Sequence, residues 1–150
     1  MKTVDTNILL YAVNRDSPNC QQACHALEAM VNGGGSWGLS WKVVYEFLRV
    51  ATHPRIFSSP LDSDTAWEFV HDLTSSETCI MLSETALHEE RLNKSLIEKP
   101  RLQGNLFHDF NIAVLMREHG VTEIISEDRD FRMFPWIRVT SLKDFISLMG

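Results

Sequence analysis

Short apolar runs alternate with longer stretches of helical periodicity along the whole chain, and this alternation limits the fold more than any single motif does. The apolar runs predict strands at residues 2–5, 37–40, 79–82, 121–126 and 136–140. The other stretches predict helices over 8–13, 18–30, 41–52, 62–75, 83–99, 104–119 and 141–148. Strands separated by helices form right-handed βαβ units, so we expect one α/β domain over residues 1–150, with three α/β/α layers and a mainly parallel sheet. In such folds ligands bind at the carboxyl ends of the strands.

The charge balance and the cysteines limit the kind of protein that this chain can be. Twenty Asp and Glu against 14 Lys and Arg give a net charge of −6, which argues against nucleic-acid binding by bulk electrostatics. The first residues lack the apolar stretch of a signal peptide and no run is long enough to cross a bilayer, so we expect a cytoplasmic protein. Cys20, Cys24 and Cys79 are an odd number without paired spacing, which predicts reduced, buried thiols.

Four acidic residues stand out because of where they lie. Three have apolar neighbours, where an ionised carboxylate is costly unless it is paired or bound to a metal, and the fourth directly follows a predicted strand. In chain order they are Asp5, Glu46, Asp109 and Asp128. Two of them follow strands and a third lies near a helix start, so one edge of the sheet can collect them into a shared site.

Each of these acids also has a structural explanation. Asp5 and Asp128 can accept backbone N–H bonds at the start of a helix or turn, and the third acid can favour the positive end of its helix. Glu46 can pair with Lys42 or Arg49 on the same helix face. The shared site is favoured because the acids concentrate at one edge.

A site of carboxylates without His or Cys selects hard cations, Mg²⁺ or Mn²⁺. Magnesium is usually held by a few carboxylates together with substrate phosphate, so the natural substrate is a phosphate ester. The chemistry indicated is hydrolysis by a metal-activated water, with a second ion about 3.5–4 Å away to stabilise the leaving oxygen.

The four acids occur in segments with a specific order and spacing. These segments are Val4–Tyr11, Glu46–Arg49, Gly104–Ala113 and Ser126–Phe131, with a further segment at Thr52–Phe57. They resemble the acidic blocks of PIN-domain proteins, in particular the VapC ribonuclease toxins of bacterial toxin–antitoxin pairs. The resemblance spans the chain and implies a Mg²⁺-dependent endoribonuclease that leaves a 5′-phosphate and a 3′-hydroxyl.

Carried over residue by residue, the resemblance makes the four acids the metal ligands. It implies that Asn7 holds the first Asp and that the hydroxyls of Thr6 and Ser126 support the ligands. Glu127 departs from the family pattern, in which a Thr is common in this branch, and this leaves Asp130 or Glu127 as possible auxiliary ligands. For Asp130 a structural role is the favoured alternative.

The resemblance also implies partners. They are an RNA substrate, a second copy in a homodimer, and a small antitoxin that lays a segment over the active groove. The best candidates for RNA backbone contacts are Arg15, Lys42, Arg49, Arg55, Arg129 and Arg132. The alternative is that these scattered cations belong to an ordinary protein surface. Ions held by the carboxylates bring positive charge to the point where phosphate approaches, so RNA affinity is expected to depend strongly on bound metal.

Two roles are open for His108: contact with phosphate, because it is next to Asp109, and surface packing, which is favoured because helical neighbours face different ways. The large aromatic residues are assigned by default to the core: they are Tyr11, Trp37, Trp41 and Trp67.

Other functions fit the sequence less well. A phosphatase or phosphotransferase of the haloacid-dehalogenase type needs an Asp two residues after the first, where this chain has Asn7. A receiver-like module needs a late Lys, for which only Lys143 is available, and dinucleotide binding fails because Gly33–Gly35 follows a helix instead of opening one. A non-catalytic PIN-like scaffold is a further alternative.

Overall fold

Five strands form one parallel sheet in a computed structural model that describes residues 1–98 and 101–150. The strands are β1 (Lys2–Val4), β2 (Trp37–Ser40), β3 (Cys79–Leu82), β4 (Glu123–Ile125) and β5 (Arg138–Thr140). Their order across the sheet is β3-β2-β1-β4-β5, and every neighbouring pair is parallel. The predicted α/β class is therefore confirmed. β4 and β5 are shorter than predicted, because β4 pairs with β1 and with β5 only over Glu123–Ile125.

Helices cover both faces of this sheet. They are α1 (Thr6–Val13), α2 (Cys20–Asn32), α3 (Trp41–Ala51), α4 (Ser63–Thr74), α5 (His88–Glu98), α6 (Leu106–Glu118), α7 (Leu142–Met149) and the 3₁₀ helix Arg129–Met133. From β1 to β3 each new strand is added towards one edge of the sheet, whereas β4 and β5 are added on the opposite side of β1. Right-handed crossovers therefore place α1–α4 on one face, and α5, α6 and the 3₁₀ helix on the other. Packing agrees, since α1 contacts α2 and α3, and α6 contacts α5 and the 3₁₀ helix.

Local hydrogen bonds explain where the helix starts differ from prediction. α2 begins at Cys20 instead of residue 18, because Ser17 accepts from the Asn19 and Cys20 amides and forms a turn. α5 begins at His88 instead of 83, because the Thr85 amide and hydroxyl donate to Glu118. The predicted end of α5 at residue 99 lies outside the described residues. No helix in the described ranges has both the length and the hydropathy that a membrane crossing needs.

Exposure separates the large aromatic residues into two groups. Trp37 is 1% exposed, as predicted, and Tyr11 is half-buried, but Trp41 and Trp67 are 42% and 44% exposed. The core prediction was wrong for Trp41 and Trp67. In α4, for example, the buried stripe consists of Ala66, Val70 and Leu73, and Trp67 is rotated about 100° away from it around the helix axis. The three cysteines are free, as expected, and half-buried instead of buried.

The carboxyl ends of β1 and β4 meet at the centre of the sheet. These strands are neighbours, with Val4 opposite Ile125, and the Asp5 amide donates to the Ile125 carbonyl at 3.0 Å. Asp5 and Ser126, the residues that follow the two strands, are both buried. The sheet therefore brings together two residues that are far apart in sequence and that were both expected at a site.

Candidate active site

Asp5 is a buried carboxylate at the start of α1. It is 8% exposed, and its Oδ1 accepts from the Thr6 amide at 2.7 Å. Its Oδ2 accepts from Ser126 Oγ at 2.7 Å and from Asn7 Nδ2 at 3.3 Å. Burial raises the pKa of Asp5 to about 6, and the hydrogen bonds from Ser126 and Thr6 only partly offset this effect. Asp5 therefore caps α1, as its structural explanation predicted, but its carboxylate is still strongly desolvated.

The side chain of Ser126 links two of the predicted ligands. Besides donating to Asp5, its Oγ accepts from the Asp128 amide at 2.9 Å and lies 3.4 Å from Asn7 Nδ2. Asn7 Oδ1 is buried and has no hydrogen-bond partner among the described residues. The structure thus places Asn7 and Ser126 against the first carboxylate, where the resemblance implied that they would act.

Glu46 reaches the site from α3, but not from an apolar setting. It is exposed, because α3 turns Val43, Val44 and Phe47 into the core and leaves Glu46 on the opposite side. Its Oε2 accepts from Thr6 Oγ1 at 3.0 Å. The alternative ion pairs with the cations on α3 do not form within 4.0 Å in the part of the chain that is described. The expectation of costly burial was wrong for this residue, although Glu46 does face the other acids.

Three further carboxylates approach one another from α6 and the 3₁₀ helix. One oxygen of each of Asp109, Asp128 and Asp130 lies within 4.8 Å of the others. Asp128 caps the 3₁₀ helix by accepting from the Asp130 amide at 2.8 Å. Burial raises the pKa of Asp109 to about 7, and the negative charges of Asp128 and Asp5 add to the shift. Mutual repulsion of this kind favours the binding of a cation.

A cavity of about 850 Å³ opens over these acids. It is lined by Lys42, Tyr45, Glu46, Arg49, Asn105, Leu106, His108, Asp109, Asp128 and Asp130. His108 is exposed and lines the cavity together with Asp109, so the expectation that it faces away from Asp109 does not hold. Sequence reasoning also missed Tyr45 and Asn105, which flank predicted ligands but carry no periodic or charge signal.

The predicted RNA contacts divide into two groups. Lys42 and Arg49 line the cavity from α3. The other four candidates are exposed and are not among the lining residues: Arg15, Arg55, Arg129 and Arg132. Proximity in sequence to an acidic block was therefore a poor guide to proximity in space.

Glu127 has a role other than that of the auxiliary metal ligand considered above. Its Oε1 accepts from the Leu142 amide at 2.7 Å, at the start of α7. A carboxylate at this position offsets the partial positive charge of the helix N-terminus. The structure therefore gives Glu127 a capping role, whereas Asp130 faces the other acids.

The donor set fits a hard divalent cation. Every acidic group at the cavity offers only oxygen, and three carboxylates from two elements converge within 4.8 Å. The cations that line the cavity, Lys42 and Arg49, form no ion pair with these acids among the described residues. A divalent ion at this point would stabilise the ionised form of Asp109, whose pKa is raised first by burial and then by the neighbouring negative charges.

Comparison with known proteins agrees with this arrangement. The PIN domain profile matches residues 2–136. Ribonuclease VapC48 of Mycobacterium tuberculosis is 34% identical over 92% of this chain and 94% of its own length. Ribonuclease VapC37 of the same organism is 31% identical over the same shares.

Solved structures of low sequence identity share the fold. VapBC2 from Rickettsia felis, bound to a DNA fragment from its promoter, superposes with a TM-score of 0.63 at 17% identity, covering 93% of this chain and 97% of that chain. VapC20 of Mycobacterium tuberculosis, a sarcin-ricin loop cleaving toxin, gives a TM-score of 0.59 at 17% identity over 88% and 93%. Sequence match, relatives and architecture agree, and the chain belongs to the PIN-domain family.

Proposed function

We propose that this chain is a Mg²⁺- or Mn²⁺-dependent endoribonuclease and the toxin of a toxin–antitoxin pair. The observation that carries the proposal is the convergence of acids from three separate parts of the chain on one cavity, with Asp5 outside its lining and joined to the Asp128 segment through Ser126. The proposed metal ligands are Asp5, Glu46, Asp109 and Asp128, with Asp130 as an auxiliary ligand. The names of the relatives, which are ribonucleases, support the substrate class.

The residues of the site have distinct roles in this proposal. A bound divalent cation supplies an activated water for attack on phosphorus and offsets the charge that develops on the leaving oxygen. Thr6 fixes the Glu46 carboxylate, and Ser126 and Asn7 fix that of Asp5. Lys42 and Arg49, at the wall of the cavity, hold the phosphate backbone of the substrate by charge.

The proposal extends to partners. VapBC structures, in which toxin and antitoxin are crystallised together, share this fold, which supports a small cognate antitoxin for this chain as well. We propose that the antitoxin places a basic side chain near the acidic cluster, that the toxin is a homodimer, and that it acts on RNA in the cytoplasm. Charge complementarity favours such a side chain because the cluster is strongly acidic.

RNA cleavage with and without metal tests this function. Purified protein is incubated with total RNA in Mg²⁺, in Mn²⁺ and in EDTA, and the new ends are mapped by sequencing. We expect cuts with 5′-phosphate and 3′-hydroxyl ends in either metal and none in EDTA. Undiminished cleavage in EDTA contradicts the metal dependence. Absence of cleavage in every condition favours the non-catalytic scaffold.

A further inference from the structure

Tyr45 is a strongly exposed aromatic residue at the wall of the cavity. It is 72% exposed, although it lies on α3 between the buried Val44 and Phe47. In the ranges that the structure describes, its hydroxyl forms no hydrogen bond, and its ring pairs with no aromatic ring or cation. A buried Tyr would contribute to the core, so an exposed one at the wall of a cavity suggests a ligand.

The position of Tyr45 on α3 places it beside both cations of the cavity. Lys42 is three residues before it and Arg49 four residues after it, so the three side chains lie on one face of the helix. Lys42 and Arg49 are about 10 Å apart along the helix axis. Glu46, the proposed metal ligand, borders the same stripe and also lines the cavity.

An aromatic ring between two cations is the arrangement that recognises single-stranded nucleic acid. The cations follow the backbone, and the ring offers a surface for a base that is not stacked in a duplex. Paired RNA keeps its bases stacked in a helix whose deep groove side chains do not enter, so a stacking side chain selects unpaired nucleotides.

We propose that Tyr45 stacks on an unpaired base next to the phosphate that is cut, and so determines which RNA the site accepts. This inference rests on the proposed ribonuclease function. Tyr45 contributes to binding through its ring and takes no part in bond breaking, so loss of its hydroxyl in Tyr45→Phe leaves kcat unchanged.

Steady-state cleavage of a short single-stranded RNA, taken from a site mapped in the total-RNA experiment, tests the role of Tyr45. We expect Tyr45→Ala and Tyr45→Leu to raise KM about 5- to 150-fold, the range for loss of one stacked base, with kcat nearly unchanged. Tyr45→Phe keeps the ring and is expected to stay close to wild type. Trp67→Ala removes another exposed aromatic, on α4 and outside the cavity lining, and is the matched control.

Abasic substrates show whether the ring acts on a base. Each nucleotide flanking the cut is replaced in turn by an abasic ribose. At the stacked position, the abasic substitution should lower the affinity of wild type as much as Tyr45→Ala lowers the affinity for intact RNA. The same substitution should not lower the affinity of the Tyr45→Ala variant further. Additive losses at every position overturn the proposal.

Other results separate this inference from the function on which it rests. If wild type cuts RNA and Tyr45→Ala has an unchanged KM, the stacking role is wrong and the nuclease stands. If wild type cuts no RNA in either metal, both fail. Trp41 is also exposed, one turn before Tyr45. If light scattering shows that Tyr45→Ala loses a dimer, this face is a contact between subunits and the stacking role is overturned.

Discussion

Ser126 Oγ lies 2.7 Å from Asp5 Oδ2, a contact that spans 121 residues of sequence. The same oxygen accepts from the Asp128 amide at 2.9 Å. One hydroxyl therefore connects the first and the fourth proposed metal ligands, and it can do so because the strands that precede them, β1 and β4, are neighbours in the sheet. Ser126 therefore positions two of the proposed metal ligands without being proposed as a ligand itself.

Ser126→Ala is expected to weaken metal binding and cleavage. The change removes a donor from a buried carboxylate and frees the loop before Asp128, and the loss of such a supporting contact lowers metal affinity or activity by about 10- to 100-fold. The measurement is cleavage rate against Mg²⁺ concentration, with Ser59→Ala, at an exposed position, as control. A Ser126→Ala curve that overlays wild type contradicts the role of this hydroxyl.

Thr6→Val is expected to slow cleavage severalfold. Thr6 is 5% exposed and its hydroxyl donates to Glu46 at 3.0 Å, so an isosteric Val leaves Glu46 without its fixed orientation. Thr6→Ser keeps the hydroxyl and should retain most of the activity. Equal rates for Val and Ser at this position would show that the contact does not position Glu46.

Asp109→Asn is expected to stabilise the protein in the absence of metal. The folded state raises the pKa of Asp109 from 3.8 to about 7, so the unfolded chain ionises first and stability falls as pH rises from about 4 to 7. Asn carries no charge and avoids this loss. After allowance for solvent screening we expect a gain of about 1–2 kcal/mol at pH 8, or a few degrees in Tm.

Thermal denaturation in EDTA at several pH values measures this effect. Asp109→Asn and wild type should differ at pH 8 and converge as the pH falls below about 3, where the carboxyl is protonated in both states. Added Mg²⁺ should raise the Tm of wild type more than that of the variant. A variant that is less stable than wild type at pH 8 contradicts the claim that the buried, crowded Asp109 charge destabilises the folded state.

Gly38→Ala is expected to destabilise the sheet. A Cβ at Gly38 would lie 2.8 Å from both Cδ atoms of Leu82, a buried residue of the neighbouring strand. Overpacking of this kind costs about 1–3 kcal/mol, which chemical denaturation would detect. Gly34→Ala has open space around it and serves as control. Equal stability of the two variants would show that Leu82 adjusts freely.

The sequence carried enough information to predict the layers of the fold and much of the site. Asp5 was predictable because it ends an apolar run, and the carboxyl ends of parallel strands meet at one edge. Ser126 was predicted only through the family resemblance. Glu46 was selected because of its apolar neighbours, which in fact point the other way. Its true signal was its place in a segment that resembles an acidic block of the family.

Contacts between distant segments account for what the sequence could not reveal. The Thr85 contact with Glu118 delays the start of α5, and the Glu127 contact with the Leu142 amide turns that carboxylate towards α7. Tyr45 and His108 line the cavity only because α3 and α6 converge there. Local periodicity contains none of these relationships, since each depends on how separate elements pack.

The central claim is that the acidic cavity cleaves RNA with a bound divalent metal, and Asp5→Asn tests it most directly. Asp72→Asn, on the exposed surface of α4, is the matched control. The measurement is cleavage of the same RNA in Mg²⁺ by the three proteins, with circular dichroism to verify that each is folded. We predict that folded Asp5→Asn loses cleavage while Asp72→Asn cuts like wild type. Wild-type cleavage by folded Asp5→Asn would contradict the claim.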